Sequence, residues 1–267
     1  MFIKRIKVKR ILSRSGIGGC RYALNPYLGC SNGCYYCYAP HILRSLNFNR
    51  EWGSFVYPKE NGPLLLRKEL KRLKRGKICI GTVCDPYLKW EEDFHITRNC
   101  LEELRFVRNP LSLQTKNGLI LRDIDLLIQL NAQILITITT TDDRLREIFE
   151  PGASPVGERM RTIRELRGAG LSVTVFAGPL LPGLSDQYSA LTELVAMVQE
   201  SGAERIIFDL LNPYPVVRRR MGKLYRRYFP DLGSELDLAI KNRKGYRRKV
   251  KDRIEKVKKD LIIETIF

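Results

Sequence analysis

The stretch NPYLGCSNGCYYCYAP, residues Asn25 to Pro40, sets Cys30, Cys34 and Cys37 in a CxxxCxxC triplet with Tyr36 immediately before the last cysteine. Three thiolates so close in sequence can converge on one metal centre. Iron–sulfur clusters usually take four cysteines, and structural zinc takes four Cys or His ligands. A triplet with no fourth cysteine at matching spacing therefore predicts a centre with one open coordination position. An open position means chemistry, as at a catalytic zinc that keeps a place for water. Spacing alone also admits a closed zinc knuckle that recruits Cys20 or His41.

Around this core the pattern NPYxGCxxGCxYCYA resembles the spore photoproduct lyase-like branch of the radical S-adenosylmethionine (SAM) superfamily. The resemblance implies that Cys30, Cys34 and Cys37 hold a 4Fe-4S cluster, with Tyr36 beside it. The amino and carboxylate groups of SAM would then fill the vacancy on the fourth iron. Reduction would split SAM to methionine and a 5′-deoxyadenosyl radical that takes hydrogen from a substrate. A reducing electron donor such as ferredoxin or flavodoxin is implied as well.

Strand and helix patterns alternate along the chain with short connections. Expected strands are Tyr22–Asn25, feeding the cysteine loop, then Lys77–Val83, Ser112–Thr115, Gln133–Thr139, Val173–Ala177 and Arg205–Leu210. Expected helices are Pro63–Arg75, with Leu64, Leu65, Leu70 and Leu73 inward, Thr97–Arg105 with Thr97 as N-cap, Ile120–Gln129, Pro155–Ala169 and Tyr188–Ser201. Six strand–helix repeats argue an α/β fold with a parallel sheet and right-handed crossovers. The resemblance makes this an open six-stranded (β/α)6 partial TIM barrel. The domain reading is a basic N-terminal segment (1–19), in which Ile6–Lys9 alternates as a strand does, a barrel core (20–210) and a basic helical C-terminal extension (211–267). In the extension Val250, Ile254, Val257 and Leu261 form one apolar stripe, expected to dock on the barrel with its charge turned outward.

Parallel barrels gather their chemistry at the C-terminal ends of the strands, and that rule selects the remaining candidates. Gly81-Thr82-Val83-Cys84-Asp85-Pro86-Tyr87 resembles the family's GTVTDPY, which makes Thr82 a cofactor-site residue. Cys84 stands where relatives have Thr; it is a candidate hydrogen donor to a product radical, or a small buried thiol. Gln114-Thr115-Lys116 resembles an element whose lysine meets the SAM carboxylate, and a lysine in a barrel mouth is costly unless an anion meets it. Thr137 and Thr139 fall in a segment resembling SITTLD, and their hydroxyls are candidates for SAM amino or ribose groups. Arg159, in the region matching EPGAPSPxxR, could fork onto a carboxylate. Pro179, in Gly178-Pro179-Leu180-Leu181-Pro182-Gly183, belongs to a loop that the resemblance places by the adenine; turn chemistry alone would also explain these glycines and prolines.

Composition bounds the rest. The formal net charge is +18, and from Arg218 to Lys259 there are 17 Lys or Arg against five Asp or Glu, so about two thirds of the excess sits there. Before Glu51 there are nine basic residues and no acidic one. Basic surface concentrated at both ends points to a polyanion, DNA or RNA, as substrate. Highly charged solvated helices would look the same. Seven cysteines, with Cys79 and Cys84 in or beside a core strand, do not read as a disulfide framework, and a reducing, cytoplasmic setting fits them. No apolar run approaches the roughly 18 residues of a membrane span. The reading is thus a radical SAM enzyme acting on nucleic acid, in DNA lesion repair or RNA modification; the rival is a non-catalytic zinc or iron–sulfur protein that binds RNA or DNA.

Overall fold

The computed structural model describes residues 1–46, 50–257 and 261–267; Lys258 and Lys259 of the basic C-terminal stretch lie outside the described residues. In chain order the strands are β1 (Phe2–Ile3), β2 (Leu12–Arg14), β3 (Tyr22–Leu24), β4 (Tyr27–Gly29), β5 (Phe55–Pro58), β6 (Ile78–Ile80), β7 (Leu111–Thr115), β8 (Gln133–Thr137), β9 (Val173–Leu180), β10 (Arg205–Leu210) and β11 (Ile262–Thr265). One sheet holds eight of them in the order β11-β10-β9-β8-β7-β6-β3-β2. Its pairings are parallel from β3 through β11. Helices bridge the strands between β6 and β10, as parallel neighbours require.

The six expected strands are the six central neighbours of this sheet. Two further strands extend it: β2 lies antiparallel to β3 at one edge, and β11 lies parallel to β10 at the other. Neither is among the expected strands. β2 is three residues with a single apolar side chain, and β11 follows a lysine-rich helix whose period it interrupts. Central strands are apolar because both faces are covered: Ile78, Leu113, Ile134, Val173, Val175 and Ile206 are all buried.

A second, three-stranded sheet, β1-β5-β4, carries the cysteine loop. β3 therefore does not feed that loop directly; β4 intervenes, antiparallel to β5. The expected strand Ile6–Lys9 reduces to one bridge from Ile6 to Lys59. Beyond it the Asn61 side chain takes over the pairing, accepting from the Val8 N–H and donating to the Val8 carbonyl, both at 2.9 Å.

The helix expected at Pro63–Arg75 spans Gly62–Leu70, with Leu66 and Leu70 buried and Leu64 exposed. The run Leu64–Leu66 offers three phases, and packing selects the third. Thr97 is not the N-cap of helix Ile96–Leu104. Its N–H, like that of Arg98, donates to the buried Glu91 carboxylate, so a side chain outside the helix satisfies the first turn.

After β10 come helices Pro215–Tyr228, Gly233–Lys241 and Arg243–Lys256. Val250, Ile254 and Val257 join the main core, as the apolar stripe suggests, and Leu261 packs against it after the helix has ended. Part of the basic charge turns inward: Lys249 pairs with Glu235 at 2.8 Å and Arg253 with Asp186 at 3.6 Å. Cys20 and Cys79 form a disulfide, contrary to the expectation of free thiols; the β3–β6 pairing brings their Cα atoms to 6.0 Å across 59 residues. Among the described residues no helix is long and apolar enough to cross a membrane.

Candidate active site

The cysteine loop leaves β4 through Gly29, whose φ of 82° and approach to Phe55 exclude a side chain: a Cβ there would meet the Phe55 carbonyl oxygen at 2.5 Å. Backbone bonds fold the loop on itself, from Gly33 N–H to the Cys30 carbonyl and from Cys37 N–H to the Cys34 carbonyl. Cys30 and Cys34 are buried and Cys37 is half-buried. Burial pushes all three thiols up, Cys34 to about 12 and Cys30 well above its ordinary value, where Asp85 and Cys34 add to the effect. Without a cation among them the thiols hold their protons; a metal reverses that preference.

Asp85 ties this loop to the parallel sheet. One of its carboxylate oxygens accepts from the Asn32 side chain at 2.9 Å and from Lys116 N–H at 2.8 Å; the other accepts from Tyr87 N–H and the Thr115 hydroxyl. Asn117 completes the link by donating to Asn32 and accepting from Ser154 N–H. The loops after β6 and β7 are thereby fixed against the cysteine loop. Asn25 pins the β6 loop from behind, donating to Thr82 Oγ1 at 2.9 Å and accepting from Val83 N–H at 3.0 Å, while Tyr38 donates to the Thr82 carbonyl at 2.6 Å.

A second network lies beneath Tyr36. Its hydroxyl donates to Glu150, which also accepts from Thr139 at 2.7 Å and forms an ion pair with Arg159. Glu150 is 0% exposed and Arg159 1%. Burial alone would raise the Glu150 carboxyl, but Arg159 and Lys116 outweigh it and hold the group below its ordinary value. Arg159 also donates to the Thr137 carbonyl at 2.9 Å and the Ser154 carbonyl at 2.8 Å. The carboxylate that Arg159 meets is therefore internal.

The other expected residues fall as follows. Lys116 follows β7 with its ammonium 5.8 Å from the Tyr36 ring centre, and among the described residues that ammonium has no ion pair or hydrogen bond. Thr137 ends β8 fully buried, its hydroxyl accepting from Gln114 at 3.1 Å; among the described residues it donates no hydrogen bond of its own. Thr139 is engaged by Glu150. Pro179 lies half-buried near the end of β9. Cys84 is buried with its thiol directed at the Tyr27 carbonyl, 3.2 Å away; burial pushes it up to about 12.

Two residues that the sequence did not mark close the loop from outside. Arg220, on helix Pro215–Tyr228, donates to the carbonyls of Cys34 and Gly33 at 3.1 and 3.3 Å. Trp52 precedes Gly53, which packs so tightly on Gly33 that a Cβ would lie 2.9 Å from the Gly33 Cα. Among the described residues the buried indole N–H of Trp52 makes no full hydrogen bond, and it acts on the Cys37 thiol, favouring the deprotonated form against burial. No motif surrounds either residue, and only tertiary packing brings them to the loop.

The family model described as "Radical SAM superfamily" matches residues 24–195, a span that holds the three cysteines and the ends of β6 to β9. The chain belongs to the radical SAM superfamily. An uncharacterized protein of Methanocaldococcus jannaschii is 30% identical over 266 residues, covering 99% of this chain and 96% of that one. The radical SAM Nα-GlyT isomerase of Pseudomonas phage M6 is 24% identical over 231 residues, 84% of this chain and 47% of the relative. Spore photoproduct lyase complexed with dinucleoside spore photoproduct superposes with a TM-score of 0.69 at 15% identity, over 98% of this chain and 81% of the lyase. Streptococcus suis SuiB bound to the precursor peptide SuiA gives 0.58 at 14% identity, over 92% and 48%.

The cofactors of this radical SAM enzyme are SAM and a 4Fe-4S cluster, and the residues fit them. Among the described residues no group of three His, Cys, Asp or Glu that could hold a single metal ion is gathered. The buried Trp52 N–H acts on Cys37, a sulfur that would become a thiolate ligand. The unpaired Lys116 ammonium suits a carboxylate. Of the two residues that a closed zinc knuckle would recruit, Cys20 is in the disulfide and His41 stacks on Tyr214 with ring centres 4.1 Å apart.

Proposed function

We propose that this radical SAM enzyme acts on nucleic acid, taking hydrogen from a nucleotide unit in a repair or modification reaction. The observation that carries the substrate class is the distribution of exposed cations. Arg218, Arg219, Lys223, Arg226 and Arg227 on helix Pro215–Tyr228, and Lys244, Arg247, Arg248 and Lys251 on helix Arg243–Lys256, face solvent. Arg219, Lys223, Arg226, Arg227, Lys244, Arg247 and Arg248 also have no ion pair or side-chain hydrogen bond among the described residues. The dinucleoside held by the lyase structures supports the same reading.

Bound SAM at a reduced cluster supplies a 5′-deoxyadenosyl radical. In our reading the chain's own groups do the following. Cys30, Cys34 and Cys37 hold the cluster on a loop fixed by Asp85 and Arg220. Lys116 orients the SAM carboxylate. Tyr36 stays a neutral hydrogen-bond donor because burial, Cys34 and Glu150 all raise it. Thr139 and Arg159 act through Glu150, and Pro179 shapes the wall by the adenine. Cys84 enters as a packing thiol, since its hydrogen is already directed at Tyr27. An external reductant such as ferredoxin or flavodoxin is required, and an oxygen-sensitive cluster suits the reducing cytoplasm.

The test is anaerobic reconstitution with iron and sulfide, then dithionite, SAM and a panel of DNA and RNA oligonucleotides. Release of 5′-deoxyadenosine should rise with an oligonucleotide present, and deuterium from the substrate should enter it. Peptide panels that stimulate turnover while every oligonucleotide fails would refute the substrate class.

A further inference from the structure

On the flank of the barrel, at the β2 edge, a groove of about 660 Å³ opens between the N-terminal segment and the end of helix Gly62–Leu70. Lys9, Arg10 and Arg14 form one wall, and Lys68, Lys71 and Arg72 the other. All six are exposed, and among the described residues none makes an ion pair. The lone acid of the lining, Glu69, is turned into the seam, where its two carboxylate oxygens accept from the N–H groups of Ile11 and Leu12 at 3.0 and 2.9 Å. It fastens the two walls together and leaves six cations facing the opening. Tyr22 forms part of the floor, with the Arg14 guanidinium 5.6 Å from its ring centre. None of these residues belongs to the site around the cysteines.

We propose that this groove is a second nucleic-acid contact, a track for the sugar–phosphate backbone outside the reaction site, an inference that rests on the nucleic-acid reading above. Like charges are held together here by the fold, with Glu69 fixing the walls, at a cost in mutual repulsion that a bound polyanion removes. A small anion would be satisfied by two or three of the six. A phosphate backbone presents repeated charges along a line and matches an open groove walled on both sides. With Tyr22 buried and no other aromatic in the lining, the groove offers no platform for stacking bases, so it grips without reading sequence. β2 and β11 are the two edge strands of the sheet, and the exposed cations of the C-terminal helices lie on elements other than those that wall this groove, so the chain carries two separate basic surfaces. A strand contacting both would be held at two separated points, and its effective affinity would exceed that of either contact.

The test uses the reconstituted full-length protein and two probes, a fluorescein-labelled dT20 single strand and a labelled 20-bp duplex, titrated by anisotropy from low to moderate salt. Two quadruple variants are compared: Lys9→Ala, Arg10→Ala, Lys68→Ala and Lys71→Ala in the groove, and Arg226→Ala, Arg227→Ala, Arg247→Ala and Arg248→Ala in the C-terminal helices. If four phosphate contacts are lost, the log–log salt slope of the groove variant should flatten by about 3, with affinity at least tenfold weaker. Substrate-independent 5′-deoxyadenosine release should be unchanged, which also shows that the variant is folded. Wild-type affinity and slope in the groove variant, with both lost in the helix variant, would overturn the groove and leave the nucleic-acid reading standing. No binding of either probe by wild type would overturn both. Displacement of dT20 by an oligo-glutamate of equal charge at equal or lower concentration would overturn the groove in favour of an acidic peptide.

Discussion

Replacing Arg159 by Met keeps much of the volume of a side chain that is 1% exposed and removes the cation facing a carboxylate that is 0% exposed. Breaking a buried ion pair by deleting one partner costs about 3–5 kcal/mol, because the remaining charge has lost its compensation. Here Glu150 keeps two hydroxyl donors, Tyr36 and Thr139, and Lys116 still acts on it. The lower end, about 3 kcal/mol, is therefore expected, or a fall of roughly 6–12 °C in Tm for a chain of this size. Unfolding of the reconstituted protein under anaerobic conditions, followed by far-ultraviolet circular dichroism, reads this directly. The double variant Glu150→Gln with Arg159→Met removes the stranded charge and should be less destabilised than the sum of the singles by at least 1 kcal/mol. The pH dependence has a definite sign. Glu150 is held below its ordinary value in the fold, so its contribution is present above the unfolded carboxyl value near 4.5 and is lost as pH falls through the folded one. With Arg159 gone, the largest influence opposing burial is lost, the carboxyl titrates higher, and loss of stability on acidification begins at a higher pH. A single variant costing under 1 kcal/mol, or strict additivity of the double, would show that Glu150 does not depend on Arg159.

Trp52→Phe keeps the ring but removes the N–H beside Cys37; the cluster should still assemble, at a more negative midpoint potential, because hydrogen bonds to cluster sulfurs favour the reduced state. Redox titration monitored by electron paramagnetic resonance checks this, and an unchanged potential would remove the contact. Lys116→Met should weaken SAM binding by about 10–100-fold through the lost charge-assisted bond, with iron content unaffected; equilibrium dialysis of the reconstituted protein decides it. Cys84→Ala should leave 5′-deoxyadenosine release and product distribution as in wild type, with a stability loss of about 1 kcal/mol for the lost thiol contact. A new product in that variant would instead make Cys84 a hydrogen donor.

Local pattern was sufficient for much of this protein. The cysteine spacing marks an incomplete ligand set, and continuous apolar runs mark strands that are covered on both faces, so the six central strands of the sheet are legible from periodicity and length. The stripe Val250, Ile254 and Val257 likewise announces a docked helix. These features are encoded within a few residues of one another, where spacing alone constrains geometry. Other features depend on what a residue meets far along the chain. Arg159 looks like a ligand-binding arginine until the fold sets Glu150 against it, and Thr139 looks free until the same carboxylate accepts its proton. Cys20 looks like a spare thiol until strand pairing delivers Cys79. Arg220 and Trp52 carry no local signal, because their roles depend on carbonyls and a sulfur supplied by another segment. The amino-acid order by itself determined the candidate ligand triplet and the parallel sheet; tertiary packing decided which polar groups near the cysteines are already paired and which, like the Lys116 ammonium, have no hydrogen bond or ion pair among the described residues. The physical reason is that a buried polar group must be satisfied, and only the folded chain settles whether its partner is internal.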